Sequence, residues 1–273
     1  MILDTIAAAA RRRVEKRKQI KPLALVMEQA LACAEGLKNK GVGNGETKSR
    51  TAFEQALSGP GISFICEVKK ASPSKGLIAP DFPYVDIAKD YEDAGADAIS
   101  VLTEPEFFLG NDRYLEEIHQ AVRLPLLRKD FTVDPYQIYE ARLLGASAVL
   151  LICSLLGKEQ LTQYLRISRE LGLSALVEAH SEEEVSMAAD AGAGMIGINN
   201  RNLKTFEVDF SNALRLRRLV GPDTIFVAES GIRTAQDIEA LAEAKVDAVL
   251  IGETLMRAQD RKMALAELKS GCS

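Results

Sequence analysis

The chain has 273 residues, 47% of them apolar and 27% charged, with 34 Lys and Arg against 39 Asp and Glu for a net charge of −5. That composition excludes global disorder, and the acidic balance sets dedicated nucleic-acid binding aside, so no nucleic-acid partner is expected. No run approaches the ~18 uninterrupted apolar residues of a membrane span, so no membrane partner is expected either.

The start, Met1-Ile-Leu-Asp4, carries an acid where a signal peptide needs a base, and Arg11-Arg12-Arg13 interrupts the apolar stretch that follows. Cys33, Cys66, Cys153 and Cys272 are scattered without a Cys-x-x-Cys pair. They point to free thiols in a cytoplasmic protein rather than to a disulfide frame or zinc site. Ile6, Ala10 and Val14 recur at i, i+4 and i+8 and predict an amphipathic helix; a second is predicted over 23–37. Residues 36–50 hold four glycines in fifteen positions. Gly41-x-Gly43 follows no predicted strand and Gly45 precedes Glu-Thr rather than Lys-Ser/Thr, so a polar loop is expected there, not a phosphate loop. Residues 1–60 therefore read as a helical extension rather than an independent domain, and 61–273 as the main fold.

From there the chain repeats itself. Gly95-Ala-Asp-Ala-Ile-Ser-Val-Leu102, Gly145-Ala-Ser-Ala-Val-Leu-Leu-Ile152, Ala191-Gly-Ala-Gly-Met-Ile-Gly-Ile198 and Lys245-Val-Asp-Ala-Val-Leu-Ile-Gly252 each pair a helix end and small-residue turn with a short apolar strand. Aligned on Ala96, Ala146, Ala193 and Val246, the spacings are 50, 47 and 53 residues. One strand and one helix need only about 25, so each interval must hide another strand. Candidates lie at 63–68, 124–128, 174–177 and 224–228, with helical patterns at 85–94, 114–121, 135–144, 158–171, 181–191, 212–219 and 234–244. Eight alternating units predict an α/β fold of one closed (β/α)8 TIM barrel rather than an open doubly wound sheet, whose glycine-rich first turn is missing.

Active sites of such barrels sit at the C-terminal strand ends. The residues expected there are polar: Glu67 and Lys69 on strand 1, Lys129 on strand 3, Glu178 on strand 5, Asn199 on strand 6 and Glu229 on strand 7. These six polar residues converge on one rim from five strands, and burying that many charges without use would be costly. Glu67 and Lys69 share one strand face and Cys66 the other, so Cys66 is expected to face the helices and not to act as nucleophile. Asp130 and Arg201 could serve either the site or neighbouring loops, and Lys75 and Glu253 could be solvated. His119, inside a helix, and His180 both read as structural, and neither has the company a metal site requires, so no metal is expected. Gly231 and Gly252 close consecutive turns after strands 7 and 8, where backbone N–H groups commonly hold phosphate. A phosphorylated small molecule is the expected ligand.

Glu67-Val-Lys-Lys-Ala-Ser-Pro-Ser-Lys-Gly76, Lys129-Asp-Phe131, Gly197-Ile-Asn-Asn-Arg-Asn-Leu203, Ala228-Glu-Ser-Gly-Ile232 and Ile251-Gly-Glu253 together resemble the bacterial, monofunctional indole-3-glycerol-phosphate synthases. The resemblance implies a carboxy-lyase of tryptophan biosynthesis. It would convert 1-(2-carboxyphenylamino)-1-deoxyribulose 5-phosphate to indole-3-glycerol phosphate, carbon dioxide and water, without a cofactor. It makes Lys129 the general acid, Glu178 the base, and Lys69 a carboxylate- or phosphate-binding group or second acid. Glu67 and Asn199 become orienting groups, and Glu229 a stabiliser of positive charge on the ring nitrogen. Phe108, Phe131 and Leu150 match an apolar slot for the anthranilate ring; Ser230, Gly231, Gly252 and Glu253 match the phosphate end; Ser72 and Arg201 match the substrate rim. The chain stops at Ser273 without room for a second barrel, so a monofunctional enzyme is expected, with no obligatory protein partner inferred. The competing readings are a Schiff-base lyase with Lys129 as nucleophile, an isomerase needing a strand-1 cysteine in the pocket, and a non-catalytic binding barrel.

Overall fold

The computed structural model describes residues 2–39, 50–203 and 205–272. Most of the glycine-rich stretch at 36–50 lies outside these residues. Eight strands form the barrel: β1 Ser63–Val68, β2 Ala98–Leu102, β3 Leu126–Lys129, β4 Ala148–Ile152, β5 Ser174–Ala179, β6 Met195–Asn199, β7 Ile225–Glu229 and β8 Ala248–Ile251. All pair in parallel, each with its sequence neighbours, and β8 closes on β1 through Ser63↔Ala248 to Cys66↔Ile251.

The differences from the expected strands have local causes. The third was expected at 124–128, but Pro125 has no N–H to give a ladder, so β3 begins after it and reaches Lys129. The expected ends at 177 and 228 were the last apolar residues. The ladders run on through the polar ones, pairing Ile152↔Glu178 and Asn199↔Glu229. A two-residue hairpin, Ala71–Ser72 against Gly76–Leu77, was not foreseen. The repeat in the sequence corresponds to left-handed helix-end turns at Gly95, Gly145 and Gly192 (φ 78°, 86° and 84°). In the fourth copy Lys245 takes the same conformation at φ 60°.

Strand alternation sorts the core into two layers. Ile65, Leu127, Leu150, Leu176, Met195 and Val227 fill the barrel interior, while Phe64, Cys66, Val101, Leu151, Phe226 and Val249 face the helices. Cys66 therefore points away from the interior, and its burial pushes the thiol well above its ordinary pKa. His119 packs its ring against the Gly145 backbone, a structural role.

Three helices precede β1: α1 Ile2–Ile20, α2 Leu23–Asn39 and α3 Ala52–Ala56. The short α3 is set by a Thr51/Glu54 capping box. It inserts Phe53, with Leu57 just beyond it, among the interior residues of the barrel. α1 instead reaches the opposite end. Its Ala7 and Ala10 pack with Val133, Phe131 and Leu155. Arg13 clamps both oxygens of Asp130 (2.7 and 2.9 Å) and reaches Glu104 at 3.4 Å. Arg17 pairs with Asp112 and Glu140, and Lys18 with Asp134 at 2.7 Å. Asp112 and Glu140 also flank the buried Arg128, each at 2.8 Å.

The remaining helices are α4 Tyr84–Asp93, α5 Asp112–Ala121, α6 Pro135–Leu143, α7 Lys158–Glu170, α8 Glu182–Asp190, α9 Ser211–Leu216, α10 Ala235–Glu243, α11 Glu253–Arg257 and α12 Arg261–Lys269. No helix among the described residues is long and apolar enough to cross a membrane. Phe53→Ala should cost about 3–5 kcal/mol, because the barrel cannot collapse onto the vacated volume. In thermal unfolding that loss should lower Tm by roughly 10 °C while leaving KM near native.

Candidate active site

Each inward-facing row of strand residues ends in a polar group at the C-terminal mouth. Ile65 is followed by Glu67, Leu127 by Lys129, Leu176 by Glu178, Gly197 by Asn199 and Val227 by Glu229. A period of two residues along each strand is enough to aim all five at the axis. They meet at the floor of a cavity of about 410 Å³ that also takes in Lys69.

Lys129 lies at the centre of this floor. Its Nζ is 3.3 Å from Oε2 of Glu178 and 3.4 Å from Oε2 of Glu229. Burial works against its charge, but Glu229, Glu178 and Glu67 outweigh burial and raise its pKa. Glu67 pairs with Lys69 and accepts a long hydrogen bond from Ser100 at 3.5 Å. Asn199 accepts the backbone N–H of Arg201 at 3.0 Å, which leaves its amide N–H₂ to donate to Glu178. Burial would raise the Glu178 pKa, yet Lys129, His180 and the Asn199 hydrogen bond hold it below the usual carboxylate value.

Glu229 differs. Burial is the largest influence on it, Lys129 opposes, and Glu178 and Glu67 add to burial, pushing its pKa up to about 7. Its Oε1 is buried with no hydrogen-bond partner and occupies the space where a side chain at position 197 would stand; a Cβ there would lie 2.3 Å away. Gly197 is thus required by the carboxylate opposite it.

The cavity divides by polarity. Phe108 and Phe131, 5.9 Å apart between ring centroids, form an apolar side with Leu150 and with Ile2, Leu3 and Ile6 from α1. The other side holds Ser72, Arg201, Ser230, Gly231, Gly252 and Glu253. Ser230 and Gly231 are both left-handed, at φ 66° and 85°. Asn200, buried between β6 and β7, holds this turn by donating to the Ser230 carbonyl at 3.1 Å. Thr254 ties α11 to it through the Ile232 carbonyl at 2.7 Å. Glu253 is not merely solvated: it pairs with Lys75 at 3.3 Å, Arg257 at 3.4 Å and Arg201 at 3.7 Å. Asp130, whose role the sequence left open, anchors α1 through Arg13.

All fifteen residues singled out for the site line the same cavity. Three neighbours escaped the sequence reading. His180, read as structural, has Nε2 3.5 Å from Oε1 of Glu178. Asn200 and Gly197 stood within the motif Gly197–Leu203 but were given no role of their own. A glycine within an otherwise β-branched strand was a usable signal for close approach. Among the described residues, no group of three or more His, Cys, Asp or Glu is disposed to hold a metal ion.

The architecture defines the class first. Solved structures of like fold include 3-hexulose-6-phosphate synthase from Salmonella typhimurium (TM-score 0.64, 14% identity, 77% of this chain and 98% of that one). Another is thiamine phosphate pyrophosphorylase from Pyrococcus furiosus (TM-score 0.58, 16% identity, 77% and 95%). At these identities they establish the (β/α)8 barrel alone. The family model described as indole-3-glycerol phosphate synthase matches residues 3–268. Proteins of that name from Ruminiclostridium cellulolyticum and Endomicrobium trichonymphae are 57% and 55% identical over 269 residues. Each alignment covers 98% of this chain, with 99% and 100% of the relatives. The chain belongs to the indole-3-glycerol phosphate synthase family.

The raised Glu229 pKa fixes the sign of a stability effect. The unfolded chain loses this proton near 4.5, whereas the folded protein holds it to about 7, so this group's contribution to stability falls as pH rises between those values. Glu229→Gln, neutral at every pH, should therefore raise Tm at pH 8 by several degrees and have far less effect at pH 5. Equal shifts at both pH values in paired calorimetric scans would contradict the assignment.

Proposed function

We propose that this chain carries out the reaction for which its family is named. It closes the pyrrole ring of 1-(2-carboxyphenylamino)-1-deoxyribulose 5-phosphate, with loss of carbon dioxide and water, to give indole-3-glycerol phosphate. The observation that carries this reading is a partly buried ammonium, Lys129, held between two carboxylates beneath an apolar slot, with a polar, glycine-turned end across the cavity. The substrate has the same division: an aromatic ring at one end, a phosphate at the other, and the reacting carbonyl between.

In this reading Phe108, Phe131 and Leu150 receive the anthranilate ring. The N–H groups around Gly231 and Gly252 take the phosphate, with Ser230, Glu253, Ser72 and Arg201 around it. Lys129 protonates the ribulose carbonyl oxygen as the ring carbon bearing the carboxylate attacks the carbonyl carbon. Loss of carbon dioxide restores the aromatic ring. Dehydration follows, with Glu178 taking the proton that must leave and a lysine, Lys129 or Lys69, protonating the departing hydroxyl. Glu67 and Asn199 orient these groups, and Glu229, once ionised, faces the positive charge that develops on the ring nitrogen. None of these steps calls for a cofactor. A Schiff-base mechanism needs a neutral lysine amine, and the carboxylates around Lys129 favour its protonated form. The free cysteines accord with a reducing cytoplasm.

The direct test uses the absence of tryptophan from this chain. Indole fluorescence appearing on incubation with the carboxyphenylamino substrate can come only from product. No emission from well-folded enzyme would refute the activity. Lys129→Met keeps the length and packing of lysine without a proton to give. Its kcat should fall by at least ~10²–10⁴-fold with KM far less altered, and near-native kcat would shift the acid role to Lys69. The two glycines differ in what a side chain would meet. A Cβ at Gly252 would strike Glu67 and Lys69 at 2.3 and 2.7 Å, whereas one at Gly231, left-handed at φ 85°, would strike Val208 at 2.5 Å and none of the charged groups. Gly231→Val should thus raise KM at least tenfold, whereas Gly252→Val should also depress kcat; unchanged KM in folded Gly231→Val would place the phosphate elsewhere.

A further inference from the structure

Glu178 has a second charged neighbour on the side away from Lys129. Its Oε2 faces Nζ of Lys129 at 3.3 Å, while its Oε1 faces Nε2 of His180 at 3.5 Å. His180 follows the end of β5 and is fixed at several points. Its backbone N–H donates to Oε2 of Glu184 at 2.7 Å, its Nδ1 lies 3.3 Å from the same oxygen, and Asn212 of α9 donates to its carbonyl at 3.4 Å. Glu184 is placed by the α8 N-cap, where Ser181 accepts its backbone N–H at 3.3 Å. Neither His180 nor Glu184 lines the substrate cavity. Nε2 of His180 is nevertheless buried with no hydrogen-bond partner.

We propose that His180 and Glu184 are positioning residues for Glu178, in which an imidazolium oriented by Glu184 holds the Oε1 side of the carboxylate and keeps Oε2 aligned with Lys129. The inference rests on Glu178 acting as the base. Its chemistry follows from the tautomers of the ring. A neutral imidazole that donates Nδ1–H to Glu184 turns a bare Nε2 lone pair toward an ionised Glu178 oxygen, and two electron-rich atoms then face each other. A neutral ring protonated on Nε2 faces Glu184 with the same problem. Only the imidazolium offers an N–H to both carboxylates.

The surroundings favour that form. Glu178 on β5, Glu184 on α8 and Glu229 on β7 face the ring, and Lys129 on β3 lies beyond Glu178. Burial opposes the imidazolium charge, but the carboxylates outweigh it and raise the pKa above the ordinary histidine value. The imidazolium is therefore present below that raised pKa and is lost as pH climbs through it. Turnover should fall on that alkaline limb because Glu178 loses half of its alignment, while substrate affinity is untouched.

The test is the pH dependence of kcat and KM for the wild-type chain, His180→Gln, Glu184→Gln and Glu178→Gln, with thermal melts of each. His180→Gln keeps an N–H donor but no titratable charge. It should lower kcat about tenfold, well short of the ~10²–10⁴-fold that a general base supplies. Its KM should stay within about twofold, and the alkaline limb should disappear. Glu184→Gln keeps an acceptor for the His180 backbone N–H but removes a charge that sustains the imidazolium, so it should move the limb about one unit toward acid. If His180→Gln folds poorly, the Glu184→Gln shift decides the matter alone. Wild-type profiles in both variants beside an inactive Glu178→Gln would overturn the positioning role and leave the base in place. A His180→Gln effect confined to KM would do the same. Near-native turnover in Glu178→Gln would remove the base and the inference with it.

Discussion

The ion pairing of Lys129 with Glu178 and Glu229 governs the mouth of this barrel. Charges removed from water are tolerated only when partners are close and well aligned. Here the partners come from β3, β5 and β7, which are not neighbours in the sheet. Only a closed barrel brings such strand ends within 3.3–3.4 Å of one ammonium. The site and the closure of the sheet are therefore one constraint, because a shift in register between strands would turn a buried charge toward the helices or strand it without a counter-charge.

A second ionic layer surrounds the first. Arg128, one residue before Lys129, points outward into the helix layer, where it is 3% exposed, and meets Asp112 and Glu140. Those carboxylates also engage Arg17 of α1, while Asp130, one residue after Lys129, is clamped by Arg13. Three consecutive residues thus divide the work. The inward one faces the reacting space, and its two flanking residues fasten the helix whose Ile2, Leu3 and Ile6 cover the apolar slot. Movement of α1 is in this way coupled mechanically to the strand that carries the proposed acid.

The site also holds conformations and protonation states that a stability-driven sequence would avoid. Ser230 is left-handed without being glycine, Glu229 keeps its proton to about 7, and Gly197 weakens a central strand to make room for that carboxylate. Each has a local compensation: Asn200 holds the Ser230 turn, Lys129 faces Glu229, and the β6 ladder is intact on both sides of Gly197. Such concentrations of locally unfavourable choices mark functional regions within an otherwise consistent fold.

The residue order alone determined the eight-fold alternation, because helix and strand periods and helix-end turns are local properties. It also determined which polar residues share the mouth, since a period of two aims Glu67, Lys129, Glu178, Asn199 and Glu229 at one axis once eight strands close. The family motifs added the two ends of the cavity. Tertiary structure decided what depends on distance between elements remote in the chain. His180 is the local exception: Glu178 lies two residues before it and Glu184 four after, yet only the turn from β5 into α8 sets those carboxylates against its two ring nitrogens. The proton on Glu229 required burial at the barrel mouth, with Glu178 and Glu67 adding to it from other strands, and the task of Asp130 required Arg13, 117 residues earlier. Periodicity specifies the direction in which a side chain leaves its own strand, but its electrostatic environment is a sum over neighbours that only the closed fold brings together.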